Sequence, residues 1–237
     1  MVPSDRAAVP DEVPRHVAII MDGNRRWAHA HGVSEVEGHA AGVRTIRPLL
    51  EHAVRRGVGV LSLYAFSREN WQRSADEVRG LFDLLADAIR SETPELVRQG
   101  VHVRLLGRLD ELPEETRRSI LGALDATSAG RRLTLNVAFN YSGRSELVDA
   151  ARRCLRDGLR PDEIDEDALA ARLYTAGQPE PDLLIRTGGE RRISNFLIWQ
   201  AAYAELYFTE VLWPDFGPEA FDAALGEFAG RVRRFGR

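Results

Sequence analysis

Short apolar runs that alternate with helix-patterned segments constrain the fold of this chain more than any other feature. The runs span residues 16–21, 58–66, 101–106, 133–139 and 183–185. Between them, apolar residues recur at the spacing of one helix face, as they do at Val78, Leu81, Phe82, Leu85 and Ile89. Because strands that alternate with helices form mostly parallel sheets, the pattern predicts an α/β fold.

The length of the chain and the lack of dividing segments predict a single domain. The 237 residues contain no internal repeat, low-complexity tract or linker long enough to separate two domains. Residues 1–14 are polar and contain prolines, without the apolar core of a signal peptide, and we predict a mobile leader there. We expect residues 15–237 to form one domain.

Composition excludes several classes of protein. A content of 44% hydrophobic and 29% charged residues excludes collagen-like and disordered chains. A formal net charge of −4 provides no overall positive field, so we expect no nucleic-acid partner. Cys154 is the only cysteine and no run approaches the ~20 apolar residues of a membrane span, which favours a cytoplasmic protein. All 32 basic residues are arginine, whose guanidinium groups suit bidentate phosphate contacts.

Polar segments follow three of the predicted strands, at the edge where open α/β sheets bind ligands. They are Asp22-Gly23-Asn24-Arg25-Arg26-Trp27, Ser67-Arg68-Glu69-Asn70-Trp71-Gln72-Arg73 and Arg186-Thr187-Gly188-Gly189-Glu190-Arg191-Arg192-Ile193-Ser194. Glycine turns present backbone N–H groups to an anion, and the arginines add positive charge. Each segment alone also suits a capped helix or a solvated loop. Their occurrence at three strand ends predicts anion sites.

Asp22 is predicted to hold a divalent cation. Its carboxylate follows the first strand next to Arg25 and Arg26, and it would repel a bound phosphate unless a cation lay between them. Mg²⁺, which prefers oxygen ligands and phosphates, resolves that conflict. The alternative is that Asp22 caps the next helix and that both arginines face solvent.

Familiar motifs for other chemistries are missing from the sequence. It has no GxGxxG after the first strand, no GxxxxGK[ST], no HExxH and no cysteine cluster, so dinucleotide, P-loop and zinc signatures do not apply. The acidic run at residues 162–167 precedes a helical pattern, and we interpret it as first-turn acids that the helix dipole favours.

Six segments carry a resemblance to a known family. They are HVAIIMDGNRRW at 16–27, GHAAG at 38–42, LYAFSRENW at 63–71, DLLIRTGGE at 182–190, RISNFLIWQAAYAELYF at 192–208 and WPDF at 213–216. These segments resemble the cis-prenyltransferases, and the similarity extends from about residue 16 to residue 236. The resemblance implies a mostly parallel six-stranded sheet surrounded by helices, an apolar tunnel and a homodimer. It also implies Mg²⁺-dependent condensation of an allylic diphosphate with isopentenyl diphosphate, and peripheral membrane contact for release of a lipid product.

The resemblance also implies roles for individual residues. Asp22 would serve Mg²⁺ and diphosphate activation, Asn70 would take part in proton removal, and Glu205 would be a second metal-linked carboxylate near the dimer contact. Arg186, Arg192 and Ser194 would bind isopentenyl diphosphate. The remaining residues expected to bind substrate are Gly23, Asn24, Arg25, Arg26, Trp27, His39, Ser67, Arg68, Glu69, Trp71, Arg73 and Ile193.

Three departures from the bacterial long-chain pattern leave product length and primer open. Arg25 stands where many of those enzymes have glycine, Glu35 where they have a diphosphate-contacting arginine, and Ser74 where proline is more frequent. We expect a Z-polyprenyl diphosphate of medium to long chain. The alternatives are a short-chain Z-prenyl synthase, an irregular head-to-middle synthase and a non-catalytic partner subunit, although Asp22 and Asn70 argue against the last.

Overall fold

Six parallel strands form one sheet at the centre of the molecule. In the computed structural model, which describes residues 13–231, they are β1 (His16–Ile20), β2 (Val60–Ser67), β3 (Val101–Leu106), β4 (Leu133–Tyr141), β5 (Leu183–Arg186) and β6 (Glu205–Phe208). Their order across the sheet is β3-β4-β2-β1-β5-β6, and every neighbouring pair is parallel. The predicted leader, residues 1–14, lies almost entirely outside the described residues.

Seven α-helices connect and cover the strands within residues 13–231. They are α1 (Asn24–His31), α2 (Glu35–Arg56), α3 (Ala75–Arg98), α4 (Glu114–Ala126), α5 (Gly143–Arg156), α6 (Glu166–Ala170) and α7 (Pro218–Ala229). A 3₁₀ helix, Arg68–Gln72, follows β2. The predicted α/β fold with a six-stranded sheet is therefore confirmed. In the acidic run at residues 162–167, Asp165 caps α6 through the Ala168 N–H at 2.8 Å, as the helix interpretation required.

A hydrophobic core lies on each face of the sheet, and the side chains of β1 point alternately into the two cores. Val17 and Ile19 belong to a cluster that includes residues of α2 and α7. Ala18 and Ile20 belong to a second cluster on the opposite side, with Tyr141 and Phe196 among its members. This burial makes β1 a rigid support for the residues that follow its carboxyl end.

Helix α3 has two roles that the apolar pattern at residues 78–89 could not separate. Val78 and Phe82 are buried in a third core, which also contains Phe66 of β2 and Phe139 of β4. Leu81, Leu85 and Ile89 pack against the same core and also line a cavity between α3 and the sheet. The apolar face of the helix is therefore both core and cavity wall.

Candidate active site

A large cavity, here called the main cavity, occupies about 990 Å³ beside the carboxyl ends of β1, β2 and β5. Many of its polar lining residues lie at those strand ends and at the start of α1, and others, among them Arg47, Glu92 and Glu95, lie on α2 and α3. Its apolar lining comes mainly from α2, α3, β3 and β4, and includes Ile46, Leu50, Leu85, Leu96, Val103 and Leu135. The cavity thus joins a charged region to an apolar interior that could hold a hydrocarbon chain.

Asp22 lies at the carboxyl end of β1 between two arginines. Its Oδ2 accepts a hydrogen bond from Nη2 of Arg186 at 2.8 Å, and its Oδ1 accepts one from Nη2 of Arg26 at 3.2 Å. Its backbone N–H donates to Oγ1 of Thr187 at 2.9 Å, and that hydroxyl donates to the Asp22 carbonyl at 2.7 Å. Thr187, which sequence reasoning did not single out, therefore fixes the Asp22 backbone to the loop after β5.

Arg186 connects Asp22 to the loop that follows β5. The side chain is only 5% exposed, and its Nη1 donates to the Arg192 carbonyl at 2.7 Å and to Oγ of Ser194 at 2.6 Å. Its Nε is buried without a partner within residues 13–231. A buried guanidinium N–H without an acceptor is costly, and an oxygen of a bound anion would satisfy it.

The glycines of the third polar segment do not form the predicted N–H cradle. The Gly188 N–H donates to the Val211 carbonyl at 2.8 Å, and the Gly189 N–H donates to the Thr209 carbonyl at 2.8 Å. Both glycines have positive φ, 80° and 82°, which lets the loop turn back along the segment after β6. The donors of this segment that line the main cavity belong to the residues Arg186, Arg192 and Ser194.

Helix α1 begins at the first polar segment and presents its N-terminus to the main cavity. Gly23 caps the helix with φ at 114°, a conformation that favours glycine. A Cβ at this position would also come within 2.9 Å of Cδ2 of Leu212, so there is no room for a side chain. No acidic residue occupies the first turn, where the helix dipole would favour one. Arg25 and Arg26 occupy that turn, an arrangement that suits a bound anion.

Two glycines of α2 let α1 approach closely. A Cβ at Gly38 would lie 2.5 Å from the Asn24 carbonyl oxygen, and one at Gly42 would lie 2.2 Å from Oδ1 of Asn24. The close packing explains the glycine spacing of the GHAAG segment. Oδ1 of Asn24 is buried at this contact without a partner among the described residues, and so is Nε2 of His39, elsewhere on α2.

His39 lines the main cavity as a neutral imidazole at physiological pH. Burial lowers its pKa below the ordinary value, and the positive charge of Arg73 lowers the pKa further. Its unpartnered Nε2 is therefore available to a ligand without adding a charge.

The second polar segment folds as the 3₁₀ helix Arg68–Gln72. Oδ1 of Asn70 accepts a hydrogen bond from the Ser67 N–H at 2.8 Å, which fixes the Asn70 side chain at the end of β2. Asn70, Ser67 and Arg73 line the main cavity. Nη1 of Arg73 lies 2.8 Å from Oε1 of Glu77, which orients the guanidinium.

The structure brings most, but not all, of the expected site residues to the main cavity. Those that line it are Asp22, Gly23, Asn24, Arg25, Arg26, His39, Ser67, Asn70, Arg73, Arg186, Arg192 and Ser194. Five expected substrate-binding residues do not: Trp27, Arg68, Glu69, Trp71 and Ile193. Tyr64, which sequence reasoning missed, does line the cavity and stacks on Phe196 with 4.5 Å between ring centroids.

The five residues outside the lining hold neighbouring segments in place, and their binding of substrate stays a prediction. Nε1 of Trp27 donates to Asp215 at 2.8 Å, and Nε1 of Trp71 donates to Oδ1 of Asn140 at 2.8 Å. Arg68 pairs with Glu111 at 3.3 Å, Glu69 accepts from Asn195 at 3.1 Å, and Ile193 packs against the core cluster of Phe196.

Glu205 does not share a site with Asp22 within one chain. It begins β6 and lies opposite Leu183, at the amino end of the parallel strands, whereas Asp22 follows their carboxyl end. Its Oε2 lies 2.8 Å from Nη1 of Arg231. Because each strand residue advances about 3.3 Å, the two carboxylates are separated by about 10 Å or more along the strands. The role of Glu205 as a second metal-linked carboxylate near the dimer contact therefore stays a prediction.

A metal ion at Asp22 would need ligands from the substrate. No group of three or more His, Cys, Asp or Glu side chains suited to a metal occurs in the part of the chain that the structure describes. Asp22 supplies one carboxylate, which fits the way Mg²⁺ is held by one or two carboxylates together with phosphate oxygens and waters. The surrounding arginines fit the phosphates of such a complex.

Comparisons with known proteins agree with this geometry. Residues 20–236 match the family model described as "Putative undecaprenyl diphosphate synthase". An isoprenyl transferase of Heliobacterium mobile is 48% identical over 231 residues, covering 96% of this chain and 89% of the relative. A ditrans,polycis-undecaprenyl-diphosphate synthase ((2E,6E)-farnesyl-diphosphate specific) of Pseudomonas aeruginosa is 48% identical over 229 residues, covering 95% and 91%.

A solved structure shares the fold as well. Lavandulyl diphosphate synthase from Lavandula x intermedia, crystallised with dimethylallyl diphosphate, matches with a TM-score of 0.92 and 38% identity, over 96% of this chain and all of that one. The chain belongs to the undecaprenyl diphosphate synthase family of prenyltransferases. The resemblance to cis-prenyltransferases is thereby confirmed.

Proposed function

We propose that this chain condenses isopentenyl diphosphate with an allylic diphosphate and elongates the product to a Z-polyprenyl diphosphate of medium to long chain. One observation carries the proposal: an apolar cavity of about 990 Å³ opens onto an Asp22–Arg186–Ser194 cluster that contains an unsatisfied buried donor. The name of the Pseudomonas aeruginosa relative, a farnesyl-diphosphate-specific undecaprenyl diphosphate synthase, supports it.

The positive groups around Asp22 suit the first chemical event, cleavage of the allylic carbon–oxygen bond. As that bond breaks toward a carbocation, negative charge grows on the leaving diphosphate. Arg25, Arg26 and the N-terminal N–H groups of α1 would stabilise this charge, and because α1 is packed on α2 they need little reorganisation.

Mg²⁺ is proposed as the cofactor. Asp22 would hold the ion together with diphosphate oxygens, and the ion would supply Lewis-acid stabilisation of the leaving group. Arg186 and Arg26 orient the Asp22 carboxylate by donating to one oxygen each, which leaves further lone pairs of those oxygens toward the main cavity.

Arg186, Arg192 and Ser194 are proposed to bind the diphosphate of isopentenyl diphosphate. Arg186 already donates to Ser194 and to the Arg192 backbone, so the three groups are held together before a ligand arrives. Ser194 is a non-glycine residue at φ of 47°, an uncommon conformation that the surrounding hydrogen bonds maintain. We assign Asn70, at the neighbouring strand end, to the removal of the proton after condensation.

The assembly and location of the enzyme are also proposals. Strand β6 is an edge strand. Its residue Leu206 is 37% exposed, and Tyr203, just before the strand, is 75% exposed. An apolar open edge of this kind favours pairing, and we propose a homodimer through it. No helix within residues 13–231 is long and apolar enough to cross a membrane. We propose a cytoplasmic enzyme that contacts the membrane peripherally to release its lipid product.

A direct assay tests the proposed function. The purified chain is incubated with labelled isopentenyl diphosphate, Mg²⁺ and dimethylallyl, geranyl or farnesyl diphosphate in separate reactions, and the products are sized by chromatography. We expect a Z-polyprenyl product that requires both substrates and is lost when EDTA removes the metal. No incorporation with any primer would contradict the proposal and would favour a non-catalytic subunit.

A second candidate function is that of an irregular head-to-middle synthase. It is suggested by the structural match to lavandulyl diphosphate synthase at a TM-score of 0.92. The fold is therefore shared with a synthase crystallised with dimethylallyl diphosphate. A reaction that contains dimethylallyl diphosphate without isopentenyl diphosphate distinguishes the two candidates. Product formation under that condition would favour the second one, and its absence the first.

A further inference from the structure

A second pocket, here called the α5 pocket, lies between the segment after β3 and the C-terminal half of α5. It has a volume of about 370 Å³, which is within the range of small-molecule sites. Unlike the main cavity, it has a mostly polar lining, contributed by Gly107–Asp110 and by residues of α5. The two cavities share no lining residue.

The α5 pocket is positively charged although the chain as a whole is negative. Four arginines, Arg108, Arg152, Arg153 and Arg156, line it together with only two carboxylates, those of Asp110 and Asp149. The formal charge of the whole chain is −4. The lining residues thus carry a formal excess of two positive charges, although Arg108 also pairs at 3.0 Å with Glu111, which lies outside the lining. A positive excess around a concave site favours an anion.

The floor of the α5 pocket is pre-organised. Nε and Nη2 of Arg108 donate to the two carboxylate oxygens of Asp149 at 2.9 and 2.8 Å, and the Tyr174 hydroxyl donates to Oδ2 of Asp149 at 2.9 Å. The Arg153 guanidinium lies 5.0 Å from the centre of the Tyr174 ring and donates to the Arg172 carbonyl at 2.7 Å. These groups are committed to one another and fix the shape of the site.

The rim, in contrast, offers guanidinium groups that are largely uncommitted. Arg152 is 63% exposed, and its Nη1 lies 3.6 Å from Asp149, which Arg108 already neutralises. The Arg156 side chain makes no hydrogen bond or ion pair within the described part of the chain. Both residues stand one helical turn apart on α5 and border the same pocket. Their donors can therefore converge on one ligand.

We infer that the α5 pocket binds a phosphate-bearing anion, held by Arg152 and Arg156 above the Arg108–Asp149–Tyr174 floor. Phosphate and diphosphate groups match the fork geometry of guanidinium donors and carry the required charge. The ligand is either free inorganic diphosphate or the phosphate of a lipid headgroup. The ordinary role of basic residues near a helix C-terminus, which is to offset the helix dipole, explains the charge but not the concave site.

A binding experiment with matched variants tests this inference. Inorganic diphosphate is titrated by calorimetry into the wild-type chain, into Arg152→Ala/Arg156→Ala, and into Arg55→Ala/Arg118→Ala, which removes two exposed arginines outside both cavities. Arg186→Ala accounts for binding in the main cavity. We expect the α5 variant to lose one binding event or to bind it about tenfold or more weakly, since each charged hydrogen bond contributes roughly a tenfold change.

The same variants identify the source of the phosphate. If free diphosphate binds wild type and the α5 variant equally, each protein is sedimented with phosphatidylglycerol vesicles and, separately, with phosphatidylcholine vesicles. If only the α5 variant sediments less with phosphatidylglycerol vesicles, the result would support the site with a lipid headgroup as its ligand. Equal behaviour of wild type and the α5 variant with both probes, or an equal loss in Arg55→Ala/Arg118→Ala, would overturn the inference. The outcome does not depend on turnover, so it is separate from the proposed reaction.

Discussion

Arg25 of α1, which lines the main cavity, forms an ion pair with Glu35 of α2, with 2.8 Å between Nη2 of Arg25 and Oε1 of Glu35. The hydrogen bond from Arg25 lowers the pKa of Glu35 below its ordinary value. Nε2 of His29 lies 3.4 Å from the same oxygen. The two departures from the bacterial long-chain pattern at positions 25 and 35 are thus in direct contact, as expected if they act together.

The first prediction follows from that contact. Arg25→Gly should raise the KM of the allylic diphosphate more than the KM of isopentenyl diphosphate, because Arg25 lines the cavity at the N-terminus of α1. Combining it with Glu35→Arg should recover much of the loss, since positive charge returns to the site. For an exposed pair we expect a coupling of about two- to fivefold in KM.

Steady-state kinetics of both single variants and the double variant measure this coupling. Arg25→Ala is the control, because it removes the same charge without the low helix propensity of glycine. Strictly additive effects on the allylic KM would show that the contact has no functional consequence.

A second prediction concerns Asp22. Asp22→Asn should reduce turnover by about a hundredfold or more, because it removes the negative charge that is proposed to hold Mg²⁺ against the substrate phosphates. The amide retains an oxygen that can accept from Arg186, so the melting temperature should change little. Asp22→Ala should also abolish turnover, but it leaves the buried Arg186 without this acceptor and should lower the melting temperature as well.

Turnover at saturating substrate and Mg²⁺, with thermal unfolding of each variant, checks both parts. Near wild-type turnover of Asp22→Asn would remove Asp22 from the proposed mechanism. An unchanged melting temperature of Asp22→Ala would show that Arg186 finds another partner.

The sequence predicted the elements of this site better than its contacts. The five apolar runs locate β1 to β5, and the polar segments lie at strand ends as expected. The five runs do not include strand β6, Glu205–Phe208, whose apolar part is only residues 206–208. The N–H groups of Gly188 and Gly189 donate to carbonyls of the segment after β6. These contacts join residues about 20 positions apart, so the pattern of residues around the two glycines could not predict them. The contact between Asp22 and Arg186 spans 164 residues and depends on the adjacency of β1 and β5.

The third prediction concerns product length. Ala65 lines the main cavity at a register shift between Tyr64 and Phe66, where β2 departs from regular pairing with β4. Ala65→Leu should shift the products to shorter chains, because the added carbons occupy space that the growing chain requires. Chromatographic sizing of products from farnesyl diphosphate measures the shift.

Ala126→Leu, which adds the same carbons at an exposed position of α4 outside the main cavity, is the matched control. An unchanged product distribution in Ala65→Leu would mean that the chain does not pass this residue. A wild-type enzyme that makes only a C15 product from dimethylallyl or geranyl diphosphate, and extends farnesyl diphosphate no further, would contradict the medium-to-long chain length itself.

The last prediction concerns pH and stability through His16, which is fully buried at the start of β1. Its Nδ1 lies 2.8 Å from the Pro179 carbonyl, so this nitrogen carries the proton and donates. Its Nε2 lies 2.7 Å from Oγ of Ser62 and accepts from that hydroxyl, which in turn accepts from Asn136 at 2.8 Å. The network thus requires a neutral imidazole, and burial lowers the pKa of His16 from 6.5 to about 4.

The sign of the pH effect follows from that difference. Between pH 6.5 and about 4 the unfolded chain binds a proton at His16 and the folded chain does not, so the free energy of unfolding falls as the pH is lowered through this range. At roughly 1.4 kcal/mol for each pKa unit, the loss approaches about 3 kcal/mol at the acid end. Urea unfolding of wild type and His16→Asn at several pH values measures it, with His31→Asn as the control at an exposed histidine. His16→Asn should be less stable at pH 7 yet lose less stability on acidification, and an identical pH dependence in wild type and His16→Asn would refute the assignment.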